Sequence, residues 1–423
     1  MTVVSLVAAG TRGDVEPYIA LGKGLQAAGY DARLVASDDF ATLVDNAGLQ
    51  FASLGLGAQA RLQSPEWRQA MEQGNFLTIL SKMRAEMKQS ASEQAQALPP
   101  LVKGSDLILA GMTGLTGVFS IAEALHIPVM QAQVVPFTPT YAFPSPLVPS
   151  LPLGSALNRL SFHITRQLFW QSFKVSDIAT RQLLGLPKGS FWGPYRALAR
   201  QHVPVLYGYS THVLPRPRDW PAEHQVTGYW FLDPPPDWMP PADLVRFLEE
   251  GPAPVYVGFG SMGSQHPAET AQLVLDALSQ SGQRGVLASG WGGWGGLNAA
   301  DLPHNVHLIE SIPHSWLFER MAAVVHHGGA GTTAAGLRAG VPSILVPYSA
   351  DQPFWGKRVA ELEVGPTPIP RKRLTSQRLA EAIREAVTNR AMREQARSLG
   401  QQVRREDGIG AAVALIDDFV RRL

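Results

Sequence analysis

The first half of the chain alternates short apolar runs with stretches of helical spacing. Val3 to Ala9 is an apolar run, followed by a polar loop and then YIALGKGLQAAG, whose apolar positions recur every three to four residues up to Gly29. DARLVAS, DFATLVDNAG and LQFASLG repeat the theme as strand, helix and strand, and DLILAG, TGVFSIAEALH and IPVMQAQ repeat it again. Strand–helix–strand units of this length predict a parallel sheet with helices on both faces. From Ile127 to Thr165 the periodicity is poor and Pro and aromatics are frequent, so this stretch is expected to be a loop region.

Between Pro215 and Pro241 the pattern stops. PRPRDWPAEHQ and LDPPPDWMPP hold the helix breakers of a linker. The alternation then restarts with strands at APVYVGFG, RGVLAS, NVHLIE, AAVVHH and PSILVP, with a helix between each pair except RGVLAS and NVHLIE, and closes with the amphipathic GIGAAVALIDDFVRRL. The expected organisation is a first domain over 1–213, a linker over 214–241, a second domain over 242–400 and a closing helix over 401–423 that returns to the first domain. The fold class is α/β, with two doubly wound parallel-sheet domains facing a cleft. Ligands on such sheets sit at the carboxyl ends of strands.

Composition narrows the function classes. Thirty-six Lys and Arg against 35 Asp and Glu leave a net charge of +1, too little for a strong grip on nucleic acid. The absence of cysteine excludes disulfides, thiolate catalysis and cysteine metal sites, and fits a cytoplasmic protein. No apolar run of about 18 residues occurs, so no spanning segment is expected.

Gly-rich loops follow three of the strands. VVHHGGAGTTAAGLRAG reads as a strand, a tight turn and a helix start, where unpaired N–H groups and the helix dipole favour an anion. The ordering is neither GxxxxGK[ST] nor GxGxxG, which leaves the phosphate-bearing ligand open. Gly260, Ser261, Gly263 and Ser264 follow VYVGF, and Asp351–Gln352 follow PSILVPYSA. The third loop, AAGTRGDVEPY, exposes Asp14 at a helix start, where a carboxylate most often serves as a cap.

SIPHSWLFERMAAVVHHGGAGTTAAGLRAGVPSILVPYSADQPFWGKRV resembles the donor-binding signature of UDP-dependent glycosyltransferases with the GT-B fold. Within them it looks closest to the sterol glucosyltransferases, with the antibiotic glycosyltransferases near by. GTRGDVEPYIALGKGLQAAGYDARLVA and VYVGFGSM resemble the same branch. The resemblance implies inverting, metal-independent transfer of glucose from UDP-glucose to a hydroxyl of a hydrophobic acceptor, a sterol or sterol-like lipid. Transfer of a TDP- or UDP-sugar to a polyketide, macrolide or flavonoid is the alternative, and an epimerase or a non-catalytic homologue stands further off. The UDP-sugar is a co-substrate, so no cofactor is implied, and no Asp-x-Asp metal clamp is present.

The matching positions carry the implied roles. His327 falls on the diphosphate histidine, leaving His326 as the end of a strand, and Gly329, Gly331, Thr332 and Thr333 fall on the diphosphate cradle with Ser261. Asp351 and Gln352 fall on the pair for the sugar hydroxyls, and Ser311 and Ile312 on the uracil site, which lacks the Trp of plant relatives. Asp14 is the implied base, with Arg12 and Gly13 beside it toward the donor. Phe137, Tyr141 and Phe143 are expected to line an apolar acceptor wall, to which Trp67, Phe76, Trp170 and Phe173 are further candidates. A lipid acceptor would bring peripheral membrane contact without a spanning helix.

Overall fold

The computed structural model describes every residue except 56, 58, 61, 62, 74, 75, 149–153, 263 and 292, and the side chains of Gln73 and Phe76. Gly263 and the Phe76 side chain, both singled out above, lie outside the described residues.

The chain forms two compact units, Met1–Ala58 with Phe76–Leu232 and Glu406–Leu423, and Gln59–Asn75 with Asp233–Arg405. In the first, strands β1 (Val3–Val7), β2 (Asp31–Ala36), β3 (Gln50–Ser53), β4 (Leu107–Ala110), β5 (Val129–Gln133), β6 (Val205–Tyr207) and β7 (His224–Val226) form a sheet of order β3-β2-β1-β4-β5-β6-β7. All its pairings are parallel. The near-continuous apolar runs follow from this, because a parallel strand is covered on both faces and β4 is buried at all four positions. Strand order reverses between β1 and β4. The helices of this unit are α1 (Arg12–Ala27), α2 (Ala41–Asn46), α4 (Phe76–Val102), α5 (Leu115–Leu125), α6 (Ser155–Leu183), α7 (Tyr195–Arg200) and, at the chain end, α15 (Gly408–Val420); α3 (Pro65–Gln73) belongs to the second unit.

Strands β8 (Val255–Gly258), β9 (Gly285–Ala288), β10 (Val306–Ile309), β11 (Ala323–His326) and β12 (Ser343–Leu345) make the second sheet, of order β10-β9-β8-β11-β12. Its helices are α8 (Ala242–Glu249), α9 (Pro267–Ser281), α10 (His314–Leu317), α11 (Ala330–Ala339), α12 (Gln352–Glu361), α13 (Ser376–Thr388) and α14 (Arg390–Arg405). The pleat splits its core in two. Val255, Val257, Ala323 and Val325 join Leu278 of α9 and Ile383 of α13 on one face. Tyr256 and Val324 join Phe247 of α8 and Leu317 on the other. Here the order reverses between β8 and β11.

Three stretches differ from expectation. The Pro-rich segment contains β7, so the first unit runs on to Leu232; its prolines sit in turns beside an edge strand, where a missing N–H costs no ladder bond. Residues 59–75 depart from the first unit and pack with the second. The loop expected to Thr165 ends at Gly154, and Ser155 opens α6. One stripe of α6 (Asn158, Phe162, Thr165, Phe169, Phe173) is buried, while Leu157, Leu160 and Ile164 are exposed. Exposed leucine and isoleucine opposite buried Asn158, Ser161 and Thr165 blur the pattern where the helix begins.

Candidate active site

The two order reversals position the candidate residues, since loops leaving the strand ends there diverge to opposite faces and open a crevice. In the second unit these loops are 259–264 after β8 and 327–329 after β11, strands paired through His326 and Gly258. His326 is wholly buried and its Nδ1 accepts the Gly328 N–H at 3.0 Å. That bond fixes the proton on Nε2, and burial, with His327 and His314 near by, holds the ring's pKa well below its usual value. His326 therefore shapes the turn.

His327 is 9% exposed, and burial lowers its pKa to about 4. A neutral imidazole results at neutral pH, able to donate one hydrogen bond without carrying charge. Two glycines make room for the ring. A Cβ on Gly329 would stand 2.5 Å from its Nε2, and one on Gly260, at φ +61°, would stand 3.0 Å from its Cε1. Nδ1 has no partner among the described residues. Gly329 is also the N-cap of α11 and brings no side chain to the first turn, so the leading N–H groups stay available to an anion. Gly331 is exposed and Thr332 half-buried there, whereas Thr333 is 1% exposed with its hydroxyl unpartnered inside the fold.

The Asp351–Gln352 turn adjoins this loop, because a Cβ on Gly328 would meet the Gln352 carbonyl at 3.2 Å. Asp351 Oδ2 accepts the Trp355 indole N–H at 2.8 Å. Gln352 is largely committed to the fold: its Oε1 accepts from the Tyr348 and Ser349 N–H groups at 2.8 and 3.2 Å. Among the described residues its amide nitrogen donates to the Met262 sulfur alone, at 3.5 Å, a weak acceptor that a sugar hydroxyl can replace. Ser261 is half-buried in the β8 loop. Exposed Ser311 and half-buried Ile312 follow β10 at the sheet edge, so a ligand reaching from His327 to them runs along the strand ends.

In the first unit the β1 loop carries Asp14. Its Oδ2 accepts both the N–H and the hydroxyl of Thr11, at 2.8 and 3.0 Å, in a capping-box arrangement at the start of α1. No other hydrogen bond reaches Asp14's carboxylate among the described residues, so Oδ1 is open to a proton. Burial raises the Asp14 pKa and the Thr11 bonds partly oppose that. Gly10, at φ +140°, lets the carboxylate fold back over the loop. Arg12 is exposed and pairs with Glu16 at 3.0 Å, and Gly13 is exposed beside it.

The acceptor candidates do not form one surface. Phe137 is 3% exposed, edge-on to Phe169 and Tyr195 with the Arg166 guanidinium over it, and is core. Tyr141 is 46% exposed beneath Arg159, and Phe143 is half-buried against Phe162. Trp170 and Phe173 are buried on α6, and Trp67 lies in the other unit.

Sequence reasoning passed over Thr11, whose two bonds partly oppose the rise that burial gives the Asp14 pKa, and the anchoring of the β8 loop. Glu72 of α3 accepts from the Ser264 hydroxyl at 2.9 Å and from Arg371 at 3.2 Å, and Arg371 also bonds Ser264 and Thr270. No local pattern announces this cluster, because its members lie far apart in the chain. Thr11 could have been found as the residue three before Asp14 at a helix start.

Two family models match: the N-terminal domain of glycosyltransferase family 28 over residues 4–144, and the C-terminal domain of the erythromycin biosynthesis protein CIII-like proteins over 295–407. The sterol 3-beta-glucosyltransferase UGT80B1 of Arabidopsis thaliana is 36% identical over 99% of this chain and 68% of its own. A sterol 3-beta-glucosyltransferase of Cryptococcus neoformans is 36% identical over 98% of this chain, which spans only 27% of that protein. Among solved structures, the spinosyn rhamnosyltransferase SpnG superposes with a TM-score of 0.67 at 17% identity over 99% of this chain and 100% of that one. The calicheamicin glycosyltransferase CalG4 gives 0.64 at 17% over 100% and 99%. At that identity the two structures establish the shared fold.

Proposed function

Because the chain belongs to the sterol glucosyltransferase branch of the UDP-dependent glycosyltransferases with the GT-B fold, we propose that it moves glucose from UDP-glucose to a hydroxyl of a sterol or sterol-like lipid. The observation that carries the donor half is the neutral, buried His327 beside the uncapped start of α11. His327, the N–H groups around Gly329 and Gly331, Thr332 and Ser261 hold the diphosphate. Thr333 supports the helix from inside. Asp351 and the Gln352 amide take the sugar hydroxyls, and Ser311 and Ile312 the uracil.

The acceptor oxygen attacks the anomeric carbon as its proton passes to Asp14 Oδ1. The bond from that carbon to the β-phosphate oxygen breaks, with inversion, and UDP leaves with the electron pair. Charge growing on UDP is met by a donor and a dipole already in place. Arg12 and Gly13, next to the base in the chain, are proposed as further donor contacts. The raised pKa of Asp14 suits it to take a proton better than an ordinary carboxylate. The nucleotide sugar and the lipid are the partners, no resident metal or cofactor takes part, and contact with a membrane is peripheral.

A mass-spectrometric screen of UDP- and TDP-sugars against sterols, flavonoids and macrolides tests the reading. A sterol glucoside formed from UDP-glucose is expected. A free sugar isomer without glycoside, or transfer only to a macrolide or flavonoid, would sink it.

A further inference from the structure

The stripe that hid α6 in the sequence is an exposed apolar face. Leu157, Leu160 and Ile164 are 51%, 49% and 49% exposed and share one side of the helix by their spacing. Farther along that side lie Gln167 and Gln171. Their amides and the Trp170 indole donate to the Phe191 carbonyl at 3.2, 3.1 and 3.1 Å, pinning the turn at 191–193 across the helix. Gly193 is required there: at φ +79° a Cβ would stand 2.9 Å from the Trp170 ring. The pinned turn leaves Phe191 and Trp192 57% and 54% exposed beside the stripe.

Three cations border this face. Arg159 sits over the exposed Tyr141 ring, Lys174 over Phe191 and Arg196 near Trp192, at 4.8, 4.8 and 5.9 Å. Between residues 124 and 219 there are nine lysines and arginines against two carboxylates, Asp177 and Asp219, and Asp219 accepts the Thr140 hydroxyl and the Tyr141 N–H at 2.6 and 2.9 Å. Asp177 is 3% exposed and bound to Ser120 and Arg181, so it offers nothing to a partner. Arg159, Lys174 and Arg196 thus give the apolar face a basic rim in a protein whose net charge is only +1.

We propose that this face docks the first unit on an anionic lipid bilayer. Leu157, Leu160, Ile164, Phe191 and Trp192 enter the boundary between headgroups and acyl chains, and Arg159, Lys174 and Arg196 meet the lipid anions. Aromatic residues at a wet–apolar boundary and cations at its rim match that interface. A second copy of the chain is the poorer occupant, since a two-fold contact through this patch would set its cations against themselves. No described helix is long and apolar enough to cross a membrane, so the contact is superficial. The proposal rests on the peripheral membrane contact inferred above and names its surface.

Flotation of the full chain with lipid vesicles tests it without any transfer assay. Binding to phosphatidylcholine–phosphatidylserine vesicles is expected, with little to phosphatidylcholine alone and a loss as salt rises from about 0.1 to about 1 M. Arg159→Glu and Arg196→Glu should each weaken binding about fivefold or more, and Leu160→Ser with Trp192→Ser about tenfold or more. These side chains are exposed, so the variants should melt like the parent. Met239→Ser, at an 80% exposed apolar position in the other unit, should bind like the parent. Parent protein that ignores anionic vesicles, or variants that bind undiminished, would overturn the proposal. So would a dimer in sedimentation that Leu160→Ser dissociates. Glucosyl transfer to detergent-dispersed sterol is measured separately, so failure of the function and failure of the docking face are distinguishable.

Discussion

Replacing Gly329 by alanine tests the donor site at its tightest point. The new Cβ would lie 2.5 Å from His327 Nε2, against 3.4 Å or more for an ordinary contact. The imidazole or the start of α11 must then give by about 0.9 Å, enough to break a hydrogen bond aimed at a phosphate oxygen. A hydrogen bond to a charged group is worth about 1.5–3 kcal/mol, so UDP affinity should fall by a factor of about 10 to 150. Alanine is also a poorer N-cap than glycine, which should cost about 1 kcal/mol of stability, a small drop in melting temperature. Titration calorimetry with UDP reads the first effect and thermal circular dichroism the second. The decisive comparison is a double-mutant cycle with His327→Ala. If glycine is needed to seat the imidazole, Gly329→Ala should cost little further affinity once His327 is gone. Equal costs in both backgrounds would refute the reasoning.

Three further outcomes follow from the same geometry. Burial raises the Asp14 pKa and the Thr11 hydroxyl opposes that, so Thr11→Val should raise it further and move the acid limb of kcat/KM to higher pH; an unmoved limb removes Asp14 as the titrating base. His327 and His224 are each lowered from 6.5 to about 4, so the unfolded chain binds more protons in that window. Stability measured by denaturant should therefore fall as pH drops from about 6.5 to about 4, and His327→Gln should recover part of the loss of about 3 kcal/mol per ring. Transfer should survive dialysis against EDTA, and an activity restored only by a divalent cation would contradict a diphosphate site built from N–H donors.

Much of this protein is written locally. Buried parallel strands need unbroken apolar runs, so VVSLV, LILA and VYVG mark sheet positions without reference to anything distant. A tight turn between a strand and an uncapped helix start needs small residues, so HHGGAGTT is legible on its own as strand, turn and helix. The division of labour between the histidines comes from the resemblance, which sets His327 on the diphosphate position and leaves His326 to the strand, and β11 does end at His326.

What tertiary structure decided lies where a residue's role depends on a partner far along the chain. Whether His327 is charged depends on how deeply it is buried beside the β8 loop, and only the fold supplies that burial. The anchoring of Ser264 by Glu72 needs residues 59–75 to pack with the second unit, a topological choice with no local signature. Phe137 and Leu160 are alike as apolar side chains, yet one is core and the other is exposed. Sequence pattern records hydrophobicity and period, whereas burial is settled by what packs on each face. The first turns of α6 expose Leu157, Leu160 and Ile164 and bury Asn158, Ser161 and Thr165, so hydrophobicity misreports which side is core and only packing settles it.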